Sequence, residues 1–417
     1  MNYKRNLWMR HGLTILMGAL FLYPETPIHA QSIMLPGNVP PRVKRRKPKP
    51  EVLPQVPSLA PSFSIPVGPL GFGTPSLTYL GRHYSLVALD FLDEDTLLFS
   101  FRASGLLERE AGESSKTRQV KALILSLPSG KIESQTLWTL PDRSRYVWAL
   151  KDDRFLLRDQ EGLKVGDKSL KTKTLLSLTG EFRSLQIDPG AGLIVVHTLE
   201  QASSAQAASG EVVTRVVQLE SGMVQQTTRS AGFDELPINS EGSLEVVHDK
   251  YDQWSLRLTA LGGSKVLGHV ESTCLPRSAF ISENEILLAG CDTARVPKLT
   301  AVSSSGHTLW ESEAPLLYIP PLLLPSLDGS RFVRETIALK KRPSTGSETL
   351  WVKAVKGQVV RVLDSATGRI VLETQVTPVL DGGGNVAISP SGRRVAVLNN
   401  SAIQVFELPP AAAVPAN

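Results

Sequence analysis

From residue 76 onward the chain beats between short apolar runs and polar turns. One half-unit is an apolar strand, a turn rich in Asp, Gly or Ser, and a second apolar strand. It recurs as LVALDFLDEDTLLFSF (86–101), RYVWALKDDRFLLRD (145–159), RSLQIDPGAGLIVVHT (183–198), SAFISENEILLAG (278–290), LLPSLDGSRFVRETIA (323–338) and NVAISPSGRRVAVLNN (385–400). Such β-rich runs around tight turns predict hairpins. The second half-unit is an apolar strand, a turn ending in glycine and a polar strand. Examples are LILSLPSGKIESQTLW (123–138), VVQLESGMVQQTT (216–228), LTAVSSSGHTLWES (299–312) and VRVLDSATGRIVLET (360–374). Residues 242–270 fit the plan with weaker turns.

About seven units return, at a period of roughly 35 to 60 residues, and four strands per unit at that period specify a β-propeller. The expected fold is all-β: one ring of seven four-stranded blades over residues 76–409, with six or eight blades left open and a short tail at 410–417. The last unit, ISPSGRRVAVLNNSAIQVFELP (388–409), supplies three strands and then stops. A ring leaves no sheet edge unpaired, so an N-terminal strand must complete that blade. Ser76–Gly81 is the expected strand, pairing with Ala402–Leu408.

Unit length varies through insertions at one kind of connection. RASGLLEREAGESSKTR (102–118), EQASSAQAASG (200–210) and ALKKRPSTGSET (338–349) all fall between the second and third strands of a unit. In a propeller these connections share one end with the links between units, here including DGGGN (381–385). Insertions gathered on one face of a repeat fold suit a binding face; loops that merely tolerate extra residues are the plain alternative. The residues expected to present that face are Arg102, Glu108, Arg109, Glu110, Lys116, Arg118, Lys340, Lys341, Arg342, Asp381 and Asn385. Their mixed charge points to a protein or polysaccharide partner, not to a ligand of one sign.

Ahead of the repeats, Lys4, Arg5 and Arg10 precede the apolar run LTILMGALFLY (13–23) and a small-residue site ending at Ala30. This is the pattern of a cleaved signal peptide over 1–30, so a secreted or periplasmic location is expected. Spanning a bilayer takes about 20 apolar residues, more than this run supplies. Residues 31–75 are Pro-rich, without periodicity, and read as an extended basic spacer. The formal net charge of +5 resides there: removing +5 for the spacer and +2 for the leader leaves −2 for residues 76–417. A nearly neutral body argues against nucleic acid. The stretch PRVKRRKPKP, with its cations at 42–49, could meet an anionic envelope surface, or could be only a solvated spacer. A monomer is expected.

Candidate chemistry is sparse. G-x-S-x-G, H-E-x-x-H and Walker patterns are missing, and Gly130-Lys131 is followed by Ile132. His83, His197, His248, His269 and His307 are scattered singly, and the acids of the turns are explained by backbone hydrogen bonding. Tryptophans at 138, 148, 254, 310 and 351 recur at strand positions, where packing between blades accounts for them. Cys274 and Cys291 flank one hairpin, and an exported chain favours a disulfide between them over two free thiols. No catalytic residue, metal ligand or cofactor is assigned.

The turn Leu363-Asp364-Ser365-Ala366-Thr367-Gly368-Arg369 resembles the D-x-x-T-G repeat of quinoprotein-like and YVTN/WD40-type propellers, with AVSSSGHTLW (301–310) a degraded relative. Residues 80–200 also resemble secreted bacterial propellers of no assigned activity. The resemblance implies a propeller whose motif builds turns. It leaves two functions open: a non-catalytic binding module or scaffold, and a quinoprotein-like or lactonase-like enzyme working at the central channel.

Overall fold

The computed structural model describes residues 59–73, 78–79, 87–103, 117–141, 145–188, 190, 192–200, 210–230, 236–260, 263–294, 296–313, 322–340, 353–380, 382–399 and 401–411. The apolar runs are strands that pack on both faces. Every residue of Val87–Phe91 and Thr96–Arg102 is buried, because each sheet is sandwiched between two others.

Two short strands, β1 (Phe63–Pro66) and β2 (Thr78–Tyr79), precede the blades. Blade 1 is β3 (Val87–Phe91), β4 (Thr96–Arg102), β5 (Thr117–Ser126) and β6 (Lys131–Pro141). Blade 2 is β7 (Val147–Ala149), β8 (Phe155–Arg158), β9 (Gly162–Gly166) and β10 (Thr172–Ser177). Blade 3 is β11 (Glu181–Ile187), β12 (Leu193–Glu200), β13 (Glu211–Gln218) and β14 (Val224–Ser230). Blade 4 is β15 (Ile238–Asn239), β16 (Gly242–Lys250), β17 (Gln253–Ala260) and β18 (Gly263–Glu271). Blade 5 is β19 (Arg277–Ser282), β20 (Glu285–Cys291), β21 (Pro297–Ser303) and β22 (Thr308–Glu313). Blade 6 is β23 (Leu322–Pro325), β24 (Arg331–Leu339), β25 (Val355–Asp364) and β26 (Ile370–Val376). After β27 (Val379–Leu380), blade 7 holds β28 (Val386–Ile388), β29 (Arg394–Asn399) and β30 (Ala402–Glu407).

Blade 7 reaches four strands by taking β1 as its outermost, in the sheet order β1-β30-β29-β28. Phe63 pairs with Val405 and Pro66 with Ala402, antiparallel. The ring therefore closes with an N-terminal strand, as expected, but with a different one. Within the expected Ser76–Gly81 only Thr78 and Tyr79 are described, and they do not pair with the last blade. Thr78 and Tyr79 instead run parallel to Val379 and Leu380 of β27. The closing strand lies in the stretch read as spacer. Pro66 disguises it there, and proline is tolerated because the strand is an outer edge.

The closing segment also fills the seam between blades 7 and 1. Ile65, Val67, Leu70 and Phe72 join Phe99, Phe101, Leu398 and Val405 in one buried cluster. The Phe72 ring meets those of Phe99 and Phe101 edge-on at 5.6 and 5.2 Å. Similar layers separate other blades. Trp138 packs on Phe155 between blades 1 and 2, and Trp310 stacks on Phe332 between blades 5 and 6. Gly368 of the D-x-x-T-G turn is needed for that second contact. Its φ is +67°, and a Cβ would stand 2.6 Å from the Trp310 ring.

Strand polarity gives the ring two unlike ends. First-to-second and third-to-fourth strand turns leave one end, the plain end; the other connections leave the opposite, insertion end. Plain-end turns brace one another. Arg331 donates to Gly392 O at 2.8 Å and to Pro409 O, and Arg394 donates to Glu94 O at 2.7 Å across the seam.

Candidate functional site: the insertion end and the central channel

The longest plain-end turns, such as Leu150–Arg154 and Ser326–Ser330, hold five residues. Within blades at the insertion end, the connections 103–116, 201–210 and 340–354 are all longer. Of the residues expected to present this end, Glu108, Arg109, Glu110, Lys116, Lys341, Arg342 and Asp381 lie outside the described residues, as do 1–30 and 42–49. Lys340 is exposed. Arg102, Arg118 and Asn385 are not: their exposures are 5%, 6% and 0%. The two arginines anchor the roots of the 103–116 connection, and Asn385 donates to Gln358 Oε1 and Pro378 O. A polar side chain at a loop root predicts display; burial makes these residues supports.

A feature not singled out in the sequence stands at the same end, on blades 4 and 5. Tyr251 is 90% exposed, Leu275 68% and Val296 38%, and all three sit in insertion-end connections. They rest on one braced unit. Ser272 N donates to Asp252 O at 2.7 Å and Thr273 N to Cys291 O at 3.2 Å, while Asp292 N donates to Val296 O at 2.9 Å. Trp254 Nε1 holds Ser272 O at 2.9 Å, and the His248 ring lies 4.7 Å from the Trp254 ring. Cys274 and Cys291 form a disulfide, Cα to Cα 5.5 Å, one residue from Leu275. Converting both cysteines to serine should lower stability by about 2–4 kcal/mol. Urea unfolding of the variant against the oxidised parent measures it.

The innermost strands line a central channel whose cavity of about 530 Å³ lies toward the plain end, where Phe91, Asp188 and Leu327 stand at or just past the strand ends. Its wall is largely apolar, with Phe91, Ile187, Ile238, Leu324 and Ala387 contributed by different innermost strands. Asp90 and Arg145 face each other in it, Arg145 Nη2 to Asp90 Oδ1 at 2.9 Å, and Arg145 also donates to Val147 O. The guanidinium carbon lies 5.8 Å from the Trp148 ring centroid. Burial pushes the Asp90 carboxyl up to about 6 although Arg145 pulls the other way. Asp188 borders the channel at the plain end, where burial and the adjoining Glu283 carboxyl raise it to about 6.

The expectation that the tryptophans pack between blades holds for Trp138, Trp310 and Trp148, whose ring lies 6.5 Å from that of Phe182 in blade 3; Trp148 also lines the channel. His197 is buried and pairs with Thr214 Oγ1 at 2.9 Å. Among the described residues no three His, Cys, Asp or Glu side chains gather as a metal would need.

No protein-family model matches the chain, and no curated protein sequence matches it. Solved structures do. The WD40 domain of Toxoplasma gondii coronin aligns at 9% identity over 83% of this chain and 89% of that one, with a TM-score of 0.41. The fold is that of a seven-bladed β-propeller. BamB from Moraxella catarrhalis is similar at 12% identity over 84% and 98% of the two chains, TM-score 0.34. Pyrococcus horikoshii acylaminoacyl peptidase is similar at 10% over 77% and 52%, TM-score 0.45, so the chain spans about half of that enzyme. Likeness at these identities is one of fold alone.

Proposed function

We propose that this propeller is an exported binding module that takes a protein partner on its insertion end. One observation carries the reading: Tyr251, Leu275 and Val296 are exposed in insertion-end connections that hydrogen bonds and the Cys274–Cys291 disulfide tie into one base. Exposed apolar side chains clustered on a rigid support are the anchors that protein interfaces use. The aliphatic pair Leu275 and Val296 favours a protein over a polysaccharide. The signal pattern over 1–30 and the disulfide support an oxidising compartment, and the basic stretch 42–49 would hold the module near an anionic envelope surface.

Pull-down from an envelope extract with the parent chain as bait, followed by mass spectrometry, identifies the partner. The double variant Tyr251→Ala, Leu275→Asp should bind that partner at least about tenfold more weakly, with an unchanged melting temperature. Equal binding by the two baits would overturn the reading.

A second reading places chemistry in the channel, because it is concave and largely apolar and holds two carboxyls near 6. Quinoprotein-like and lactonase-like activities would be of this kind. Absorbance of a bound quinone in the purified chain, or lactone hydrolysis lost in Asp90→Asn, would move the assignment to the channel.

A further inference from the structure

Strand β24 carries a guanidinium that the described residues do not answer. Arg334 is 3% exposed, and its Nε and Nη2 are buried with no hydrogen-bond partner. Its neighbour in the same strand is treated differently: Arg331, 0% exposed, donates to two main-chain carbonyls. Arg334 lies in a row that crosses blade 6 from the channel outward, Leu323, Arg334, Arg361 and Glu373. Glu373 serves Arg361, with Oε2 to Nε at 2.6 Å. The row thus holds two cations and one acid.

The face that Arg334 shares with Leu323 and Phe332 packs on blade 5, where Leu287, Ala289 and Leu299 are apolar. Among the described residues no acceptor reaches Arg334 Nε or Nη2 there. Burial, and repulsion from Arg361, depress the Arg334 pKa to about 10, which leaves it charged at neutral pH. A buried charge without a partner is strongly unfavourable, and folds retain one where something else supplies the partner.

We propose that the blade 5–blade 6 interface at Arg334 is an oxyanion site, taking a carboxylate or phosphate group of a ligand. A planar fork of donors beside a second arginine is the geometry that binds such groups through two parallel hydrogen bonds. The partner-binding end and this site are separate features, and either can stand without the other.

Calorimetric titration of the full chain with inorganic phosphate, and separately with acetate, against chloride at matched ionic strength, is the test. Saturable binding of at least one is expected, with a melting temperature that climbs with the logarithm of its concentration. Preference for phosphate or for acetate distinguishes the two sources. Arg334→Met should weaken binding roughly tenfold or more and should not lower the melting temperature in anion-free buffer. Absence of saturable binding to the parent chain would overturn the site, leaving a guanidinium answered by water. So would equal binding by Arg334→Met, or a lower melting point of that variant without anion. If Arg334→Met does not fold, Arg334→Lys, which keeps charge but not the fork, takes its place with the same loss expected.

Discussion

Glu335→Gln should leave stability near pH 4 almost unchanged and raise it by a few kcal/mol at about pH 9. Glu335 is 2% exposed on β24, and its Oε1 accepts from Gln358 Nε2 at 2.9 Å. The Gln358 amide is fully used, since it also donates to Leu380 O and accepts from Leu380 N and Asn385 Nδ2. Burial pushes the Glu335 carboxyl up to about 8, against the attraction of Arg145. Below the ordinary carboxylate value, folded and unfolded chains both hold the proton. As pH rises toward 8 the unfolded chain gives it up while the folded chain keeps it, so stability falls across that window and levels off above it. The glutamine variant has no such slope. Urea midpoints at half-unit steps from pH 4 to 9 for parent and variant measure the difference; parallel curves would contradict the burial assigned to Glu335.

Removing residues 59–73 should cost the protein its cooperative fold. That segment contributes β1 and the side chains of Ile65, Val67, Leu70 and Phe72 to the seam, so its loss leaves β30 as an open edge beside an emptied core layer. A milder test isolates the packing. Phe72 is 3% exposed between two other rings, and Phe72→Ala should cost about 3–5 kcal/mol. Deleting 76–81 instead, the segment first expected to close the ring, should be far less damaging to the sheet of blade 7. Denaturant unfolding of the three variants separates these outcomes.

The contrast between those segments explains what could be read from the sequence. Blades built on paired apolar runs, such as 86–101 and 385–400, announce themselves, because most residues of their inner strands are buried. A four-residue edge strand such as FSIP has one buried residue, Ile65, and its proline argues against a strand. The insertion end was legible as a topology, through the three insertions, but not as a surface. Leu275 and Val296 are single apolar residues in turns, indistinguishable in sequence from noise until hydrogen bonds and the disulfide place them together. Arg102, Arg118 and Asn385 erred the other way, since polarity beside a loop suggests exposure and these positions are buried. The motif FVRET at 332–336 was visible as charge inside an apolar strand, yet nothing in it tells an answered arginine from an unanswered one.

Site-specific photocrosslinking in the native envelope tests the central claim most directly. A photoreactive residue at Leu275 on the insertion end, and another at Ile132 by the plain end, would report which end meets the partner. A protein adduct from position 275 and none from 132 is the predicted result. Adducts from 132 alone would contradict a partner-binding insertion end.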